Sequence, residues 1–354
     1  MYTRPLSELR HTDAAAFGGK SANLGELLAA DIPVPPGFAI GAAAFRAFVE
    51  ETGLRGTISS ALERARSGDV AAVGAASKAI REAMRFAPFP DFLREEVEQR
   101  YGELAAAVGD EHPPVAVRSS ALGEDSAEAS HAGQQESYLW IRGVEHVCDA
   151  VRDCWVSLYT PQAISYRAAI APGETEPAMG VTVQLMVDAA VSGVLFTCNP
   201  VTGDPSMVAV NASWGLGIAV VGGEVTPDDY LVSKVTREVV RRAVSSKDVE
   251  YVPDASGRGT VRLEVGQERR DAPCLDEDGL GALVEVARRV ERHFGSHQDV
   301  EWAIARGRPL PAGLHVLQAR PVTTVQRSAP KPATSAMSLV MGTFGAPADR
   351  EKRS

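Results

Sequence analysis

VAVRSSALGEDSAEASHAGQQESYLWI is the sequence from Val115 to Ile141, in which two apolar runs flank a long segment of small residues. The apolar runs predict two β-strands joined by a loop. Loops of this length are uncommon inside compact domains and are usually functional or disordered. Glycine lets a backbone approach a ligand closely, serine offers hydroxyls, and Arg118 presents a planar fork that suits phosphate oxygens. The stretch therefore predicts a phosphate-binding loop, with an ordinary surface loop as the alternative.

The composition narrows the class of protein. A chain of 354 residues is long enough to bury a large core in one or two lobes. Its net charge of −10 and pI near 5.3 give no electrostatic support to a nucleic-acid partner. No apolar run approaches the ~20 residues of a membrane span, and the N-terminus lacks the apolar segment of a secretory signal. The four cysteines have no metal-ligand or redox spacing, so we expect a cytoplasmic protein without a membrane or nucleic-acid partner.

A second candidate phosphate contact lies near the N-terminus. The string FGGKSANLG begins at Phe17, and its two glycines lead into a predicted helix. The unpaired N–H groups at a helix start attract an anion, and Lys20 adds a positive charge beside them. This is not a Walker A loop, because the four-residue spacer between the glycines is missing. The alternative is a helix start with a solvated lysine.

The strings GVTVQLMV and SGVLFT, which begin at Gly180 and Ser192, predict an antiparallel pair of strands. An adenine wedged between two lobes is typically bound by backbone groups of such an extended segment, between apolar walls. Gln184 and the backbone of residues 185–187 are therefore candidates to face adenine. The alternative is a pair of core strands without a ligand.

The last chemically informative element is a predicted hairpin made of the strings DVEWAI and LHVLQAR, which begin at Asp299 and Leu314. Period-two alternation places Asp299 and Glu301 on one strand face, and Gln318 and Arg320 on one face of the other strand. If these faces coincide, a carboxylate, an amide oxygen and a guanidinium converge. The oxygen pair suits Mg²⁺ and the arginine suits phosphate. An exposed hairpin face with a surface ion pair is the alternative.

Hydrophobic spacing predicts helices over residues 42–108, 144–158 and 276–294, and β-like runs between 228 and 265. An acidic, proline-containing segment at 171–178 indicates a connection between two lobes. We therefore predict an N-terminal lobe with the phosphate loop at 1–178, a C-terminal lobe with the adenine and metal residues at 179–325, and a disordered tail at 326–354.

Taken in order, these motifs resemble the ATP-binding domain of phosphoenolpyruvate synthase, pyruvate phosphate dikinase and rifampicin phosphotransferase. The resemblance covers about residues 5 to 323. Further matching strings are GKSANL from Gly19, PPGF from Pro35, AGQQ from Ala132, FTCNP from Phe196 and SWGLG from Ser213. Several ordered motifs in one chain are far more specific than any one of them.

The resemblance implies an α/β (α+β) fold of the ATP-grasp-like kind, in which two lobes clamp ATP and Mg²⁺. It assigns the phosphates to Lys20, Arg118, Gly133 and Ser137, adenine to Gln184 and the backbone of Met186 and Val187, Mg²⁺ to Glu301 and Gln318, and the transferred phosphate to Arg320. Relatives split ATP into AMP and phosphate, and they move a phosphoryl group to a histidine on a swivelling domain and then to an acceptor.

Two positions depart from the family pattern. Ile218 stands where relatives commonly carry glutamate after WGLG, which leaves the role of that loop open. His131 stands where relatives usually have an aromatic residue. A histidine in a phosphate loop could accept a phosphoryl group, or it could be a tolerated planar substitution.

After Pro321 the sequence continues only as a tail rich in Ser, Pro, Ala and Lys. The resemblance therefore implies the ATP-binding subunit of a split phosphotransferase, similar in layout to two-component phenylphosphate synthase. We expect a separate partner subunit that carries the phosphoacceptor histidine, and a small-molecule acceptor. The alternatives are a self-contained ATP-grasp ligase that forms an acyl phosphate, and a catalytically silent nucleotide-binding module.

Overall fold

The computed structural model describes residues 1–65, 69–122, 136–170 and 177–322. Its strands form a five-stranded sheet, a six-stranded sheet and a separate two-stranded hairpin, and helices pack on both larger sheets. The predicted mixed α/β class is therefore confirmed. None of the helices in these ranges has the length and apolarity needed to cross a membrane.

The elements have the following bounds. The strands are β1 (Thr3–Pro5), β2 (Gly37–Ile40), β3 (Val115–Ala121), β4 (Ser137–Ile141), β5 (Met179–Leu185), β6 (Ala189–Phe196), β7 (Met207–Trp214), β8 (Asp228–Ser233), β9 (Val239–Ala243), β10 (Val249–Pro253), β11 (Thr260–Glu264), β12 (Gln298–Ala305) and β13 (Leu314–Pro321). The helices are α1 (Ala14–Phe17), α2 (Gly19–Ala29), α3 (Ala42–Glu51), α4 (Arg55–Arg64), α5 (Val70–Phe86), α6 (Asp91–Val108), α7 (Val144–Ser157), α8 (Pro161–Ile170), α9 (Ile218–Val221), α10 (Gln267–Arg270) and α11 (Glu277–Phe294).

The first sheet has the strand order β1-β2-β5-β3-β4, with antiparallel neighbours throughout. Helices α3 to α7 bury their apolar faces in its core, where the rings of Phe48 and Trp155 lie 5.2 Å apart. On α5, Val73, Ile80 and Met84 recur at helical spacing and are all buried. The predicted helical region between residues 42 and 108 is therefore confirmed.

The second sheet has the order β13-β12-β6-β7-β8-β9, again antiparallel. Helix α11 packs in its core and has clear ends: the Asp276 carboxylate accepts from the Gly279 N–H at 2.8 Å, and Gly295 closes the helix with a φ of 65°. Leu24 and Leu27 of α2 are buried in the same core. An N-terminal helix thus belongs to the core of the second sheet.

The predicted pairing of β5 with β6 is wrong. Strand β5 lies between β2 and β3 in the first sheet, whereas β6 lies between β12 and β7 in the second. Both strands are central in their sheets, so each already has a hydrogen-bonded neighbour on either side, and a short link carries the chain from one sheet to the other. The sheets therefore divide between Leu185 and Ala189, after the lobe boundary at residue 178 that the sequence suggested. The lobe boundaries themselves stay a prediction, and the tail lies outside the described residues.

The β10–β11 hairpin connects the two sheets. In the middle of β10, the Tyr251 carbonyl accepts from the Leu216 N–H at 2.8 Å, which ties the hairpin to the loop after β7. Near its tip, the Gly259 N–H donates to the Trp140 carbonyl of β4 at 3.1 Å. The hairpin thus contacts the loop after β7 of the second sheet through its middle, and β4 of the first sheet through its tip.

A fully buried ion pair lies at the start of β8 in the second sheet. Asp228 and Lys247 are fully buried, and the carboxylate and ammonium groups lie 2.5 Å apart. The same carboxylate accepts from the N–H of Ser245, the N–H of Cys274 and the hydroxyl of Tyr230. These additional donors compensate the carboxylate for its loss of water.

Candidate functional site

Arg118 forms a contact between the two sheets at the candidate site. This residue lies in β3, and its Nη2 donates to the Glu301 carboxylate of β12 at 3.0 Å. Its Nη1 donates to the carbonyl of Leu317 in β13 at 3.4 Å. The two charged side chains are only 16% and 26% exposed. Among the described residues the buried Nε of Arg118 has no partner, so the guanidinium keeps a donor for a further acceptor.

The polar faces of β12 and β13 coincide, as the alternation predicts. Glu301 pairs directly with Gln318, and Asp299 pairs with Arg320, so these four side chains form two adjacent rows on one face. Arg118 approaches the Glu301 row from the other sheet. The structure therefore assembles two carboxylates, an amide and two guanidinium groups at the junction of the sheets.

Asp299 lies on the same face, although the sequence predicted no ligand for it. Its Oδ2 accepts from Arg320 Nε at 2.8 Å, and its carboxylate is mostly buried. Burial raises the pKa of this carboxyl group, the Arg320 guanidinium opposes that rise, and the negative charge of Glu301 adds to it. The available signal was its alternation with Glu301, which places both carboxylates on the same side of β12.

Lys20, in the first turn of α2, packs against the last residues of β3, next to this assembly. It is 7% exposed, and its Nζ donates to the Ser119 carbonyl at 2.9 Å, which excludes the solvated-lysine alternative. Gly18 makes this approach possible: its φ is +83°, and a Cβ atom there would lie 2.2 Å from the Ser120 Oγ. The start of α2 is therefore packed directly on the strand that carries Arg118.

The two strands that flank the predicted phosphate loop are antiparallel neighbours. Ser137, the first residue of β4, is exposed and pairs with Arg118. The loop between them therefore leaves and rejoins the sheet close to Arg118. Gly133 and His131 belong to residues 123–135, which lie outside the described ranges, so their predicted roles stay predictions.

The adenine candidates occupy different environments. Gln184 is buried in the first sheet, and its Nε2 donates to the Pro35 carbonyl at 3.4 Å. Met186 and Val187 follow β5 on the link to the second sheet, and the Met186 N–H donates to the Pro114 carbonyl. Within the described ranges, the Met186 carbonyl and the Val187 N–H have no intramolecular partner. One acceptor and one donor are therefore available on this link.

These two groups lie within an apolar cluster between the sheets, which we call the junction cluster. Its buried members are Trp140, Val187, Ala189, Leu216 and Ala303, and its partly buried members are Met186, Ile218, Tyr251, Ala305 and Leu317. Both sheets and the β10–β11 hairpin contribute to it. Ile218, the departure from the family pattern, thus adds apolar surface. An apolar wall with a few polar backbone groups is typical of a site for a flat heterocycle.

The donor set next to this cluster fits Mg²⁺. Glu301 and Gln318 present hard oxygen atoms as direct neighbours across β12 and β13, and Asp299 is on the same face. No three His, Cys, Asp or Glu side chains in the described part of the chain are placed to hold a metal. A metal with a complete protein cage is therefore not favoured, whereas Mg²⁺ commonly combines one or two carboxylates with substrate phosphates and water.

The cysteines offer no alternative chemistry. All four are free and buried, and burial raises the pKa of each thiol. A buried thiol with a raised pKa is a poor nucleophile, because the reactive form is the thiolate.

Comparison with known proteins gives the class to which this fold and site belong. The model of the family described as pyruvate phosphate dikinase, AMP/ATP-binding domain, matches residues 14–339. The chain belongs to this family of nucleotide-binding domains.

Individual relatives are more specific. The chain is 40% identical over 336 residues to the probable phosphoenolpyruvate synthase of Staphylothermus marinus, covering 89% of this chain and 40% of that protein. It is 41% identical to the phosphoenolpyruvate synthase of Aeropyrum pernix, covering 91% of this chain and 42% of that protein. It is 39% identical to the probable enzyme of Methanothermobacter thermautotrophicus, covering 98% and 49%. The chain thus spans less than half the length of these relatives.

Among solved structures, the dinucleotide-forming acetyl-coenzyme A synthetase 1 of Ca. Korarchaeum cryptofilum aligns with a TM-score of 0.31 at 14% identity. The alignment covers 66% of this chain and 90% of that chain. A likeness at this level supports no argument about function.

Proposed function

We propose that this chain is the ATP-binding component of a phosphoenolpyruvate synthase-like phosphotransferase. It binds MgATP at the junction of its sheets and cleaves it to AMP and phosphate. It passes a phosphoryl group to a histidine on a separate partner subunit, from which the group reaches a small-molecule acceptor. A cytoplasmic location is part of the proposal. The observation that carries it is the meeting of Arg118 with the Glu301–Gln318 pair in a chain of an ATP-binding family.

The phosphates would lie between the basic residues and the polar face of β12 and β13. Arg118 extends from β3 of the first sheet, Lys20 extends from the start of α2, and Arg320 lies beside Asp299 on the second sheet. Guanidinium and ammonium groups in such positions orient the phosphate chain and neutralise the charge that develops on its oxygens during transfer. Arg118 and Lys20 are mostly buried and held by neighbours, so they need little rearrangement when the substrate arrives. Arg320 is more than half exposed and is held by its contact with Asp299.

Glu301 and Gln318 are the residues that would hold Mg²⁺. When bound, the metal supplies positive charge next to the phosphate oxygens. The Arg118 ion pair keeps the Glu301 carboxylate in place before the substrate binds. In this proposal, Gly133 and Ser137 add phosphate contacts from the loop side.

The base would lie against the junction cluster. The Val187 N–H and the Met186 carbonyl offer the donor and acceptor that the hydrogen-bonding edge of adenine requires. Gln184, the third adenine candidate, donates to Pro35 and would support this segment from the first sheet. The apolar side chains would cover the faces of the base.

The experiment uses the purified chain and a partner protein that carries a phosphoacceptor histidine. We expect the chain alone to bind MgATP and to release little AMP. Addition of the partner should start AMP formation, and ATP labelled in the β-phosphate should label the partner. The matched control is the same partner with its histidine replaced by alanine, which should not be labelled.

Three outcomes would replace the proposal with another function. Rapid AMP formation without a partner, lost in His131→Ala, would make His131 the phosphoryl acceptor. Formation of ADP with a carboxylate substrate would place the protein among the ATP-grasp ligases. Binding of MgATP with no cleavage in the presence of any partner would indicate a silent nucleotide-binding module.

A further inference from the structure

Trp140 has an unusual backbone conformation. Its φ is +57°, which is rare for a bulky residue that is not glycine. It lies at a bulge in β4: Ile141 pairs with Val115 and Tyr138 pairs with Val117, so two residues of β4 face one residue of β3. Bulges redirect side chains, and strained conformations persist only where the surrounding structure holds them. The contacts of Trp140 must therefore hold it in this conformation.

The β10–β11 hairpin holds the Trp140 backbone. The Trp140 carbonyl accepts from the N–H of Gly259, at the tip of the β10–β11 hairpin. Gly259 itself has a φ of +74°, a conformation that glycine adopts without cost. The middle of the hairpin is held by the hydrogen bond from the Leu216 N–H to the Tyr251 carbonyl. The hairpin thus links Trp140 to the loop after β7.

The bulge turns the Trp140 indole into the junction cluster. The side chain is 6% exposed and belongs to the same cluster as Val187, while Tyr138 of the same strand packs on the first core. The other tryptophans are placed differently. Trp155 and Trp302 are fully buried in the two main cores, and Trp214 lies 4.6 Å from the Arg269 guanidinium. Trp140 is therefore the tryptophan of the junction cluster.

We propose that Trp140 is a base-contacting residue of the nucleotide site. Its indole provides an aromatic face for the base whose edge is bound by the backbone of Met186 and Val187. The location of the base rests on the proposed function. An aromatic face stacks on any base, so Trp140 supplies affinity for the base, whereas the backbone groups select adenine. The strained bulge and the hairpin contact orient the ring before the nucleotide binds.

The test compares Trp140→Leu with Tyr138→Leu by calorimetry, using ATP, adenosine and tripolyphosphate as ligands. Tyr138→Leu is the matched control, because it removes an aromatic ring from the same strand but from the other core. We expect Trp140→Leu to weaken ATP and adenosine binding about tenfold, in line with the loss of one stacking contact, and to leave tripolyphosphate unchanged. Tyr138→Leu should change none of the three affinities.

A second measurement does not depend on the leucine variant being folded. Trp140→Phe keeps an aromatic ring and should keep most of the ATP affinity. ATP should change the tryptophan fluorescence of the unaltered chain, and this change should be absent in Trp140→Phe. A fluorescence change that persists in Trp140→Phe would overturn the inference.

The remaining outcomes separate this inference from the function on which it rests. If the unaltered chain binds ATP and folded Trp140→Leu binds adenosine equally well, Trp140 does not contact the base, and the proposed function stands. If Trp140→Leu weakens tripolyphosphate as much as adenosine, its role is structural and the inference fails. If the unaltered chain does not bind ATP, the proposed function fails and this inference fails with it.

Discussion

Replacing Glu301 by glutamine tests the contact between Arg118 of the first sheet and Glu301 of the second. The change removes one negative charge and keeps the size of the side chain. Arg118 Nη2 donates to this carboxylate at 3.0 Å, and a glutamine oxygen can accept the same bond. The bond to glutamine keeps its charged arginine donor, so what is lost is the attraction between the two charges, which is worth ~0–1 kcal/mol in a partly exposed pair. We therefore expect the free energy of unfolding to fall by only about 1 kcal/mol.

The effect on MgATP binding should be larger. Glu301 is the carboxylate that we assign to Mg²⁺, with Gln318 as its neighbour across the strands. Loss of a charged ligand of this kind should weaken MgATP binding about tenfold to a hundredfold, which corresponds to ~1.5–3 kcal/mol. Adenosine carries no phosphate and needs no metal, so its affinity should not change. Calorimetry with MgATP, metal-free ATP and adenosine measures these three quantities.

The matched control is Glu264→Gln, which removes an exposed carboxylate from β11 that belongs to neither the polar face of β12 and β13 nor the junction cluster. It should alter neither stability nor binding. An unchanged MgATP affinity in folded Glu301→Gln would refute the assignment. A double-mutant cycle with Arg118→Ala tests the ion pair separately, because a coupling near zero in the free energy of unfolding would mean that the pair does not form in solution.

Three further predictions concern other parts of the structure. Lys20→Ala and Arg118→Ala should each weaken MgATP binding about tenfold to a hundredfold, because each removes a charge-assisted contact; calorimetry that finds both affinities unchanged would contradict this. Gly18→Ala should destabilise the protein by ~1–3 kcal/mol more than Gly109→Ala, since both glycines have positive φ but only Gly18 lacks space for a Cβ atom; equal losses in denaturant unfolding would disprove the close approach. Asp228→Ala should cost about 3–5 kcal/mol, because it leaves a fully buried lysine ammonium without its partner, and a loss below about 1 kcal/mol would show that the pair is not buried in solution.

Local patterns were sufficient where each element is specified by its own residues. The ends of α11 follow from Asp276 and Gly295, because capping depends on contacts within one turn. The shared polar face of β12 and β13 follows from period-two alternation in adjacent strands, which the structure confirms for Glu301 and Gln318.

Local patterns did not predict which strands pair with each other. The runs that became β5 and β6 are close in sequence and both apolar, which favoured a hairpin. Their actual neighbours come from distant parts of the chain: β5 pairs with β2 and β3, and β6 pairs with β7 and β12. The apolar pattern of a central strand records its burial and carries no information about which strand lies beside it.

The sequence by itself determined the residue chemistry, the periodicity of the elements and the family motifs, because these are properties of single residues and short segments. Only the tertiary structure decided that Arg118 reaches Glu301, 183 positions along the chain, and that Lys20 reaches Ser119, 99 positions away. It also decided the conformation of Trp140, which Gly259 of a separate hairpin holds. Such contacts depend on how whole sheets and helices pack, and that packing minimises the free energy of the entire chain and not of any one segment.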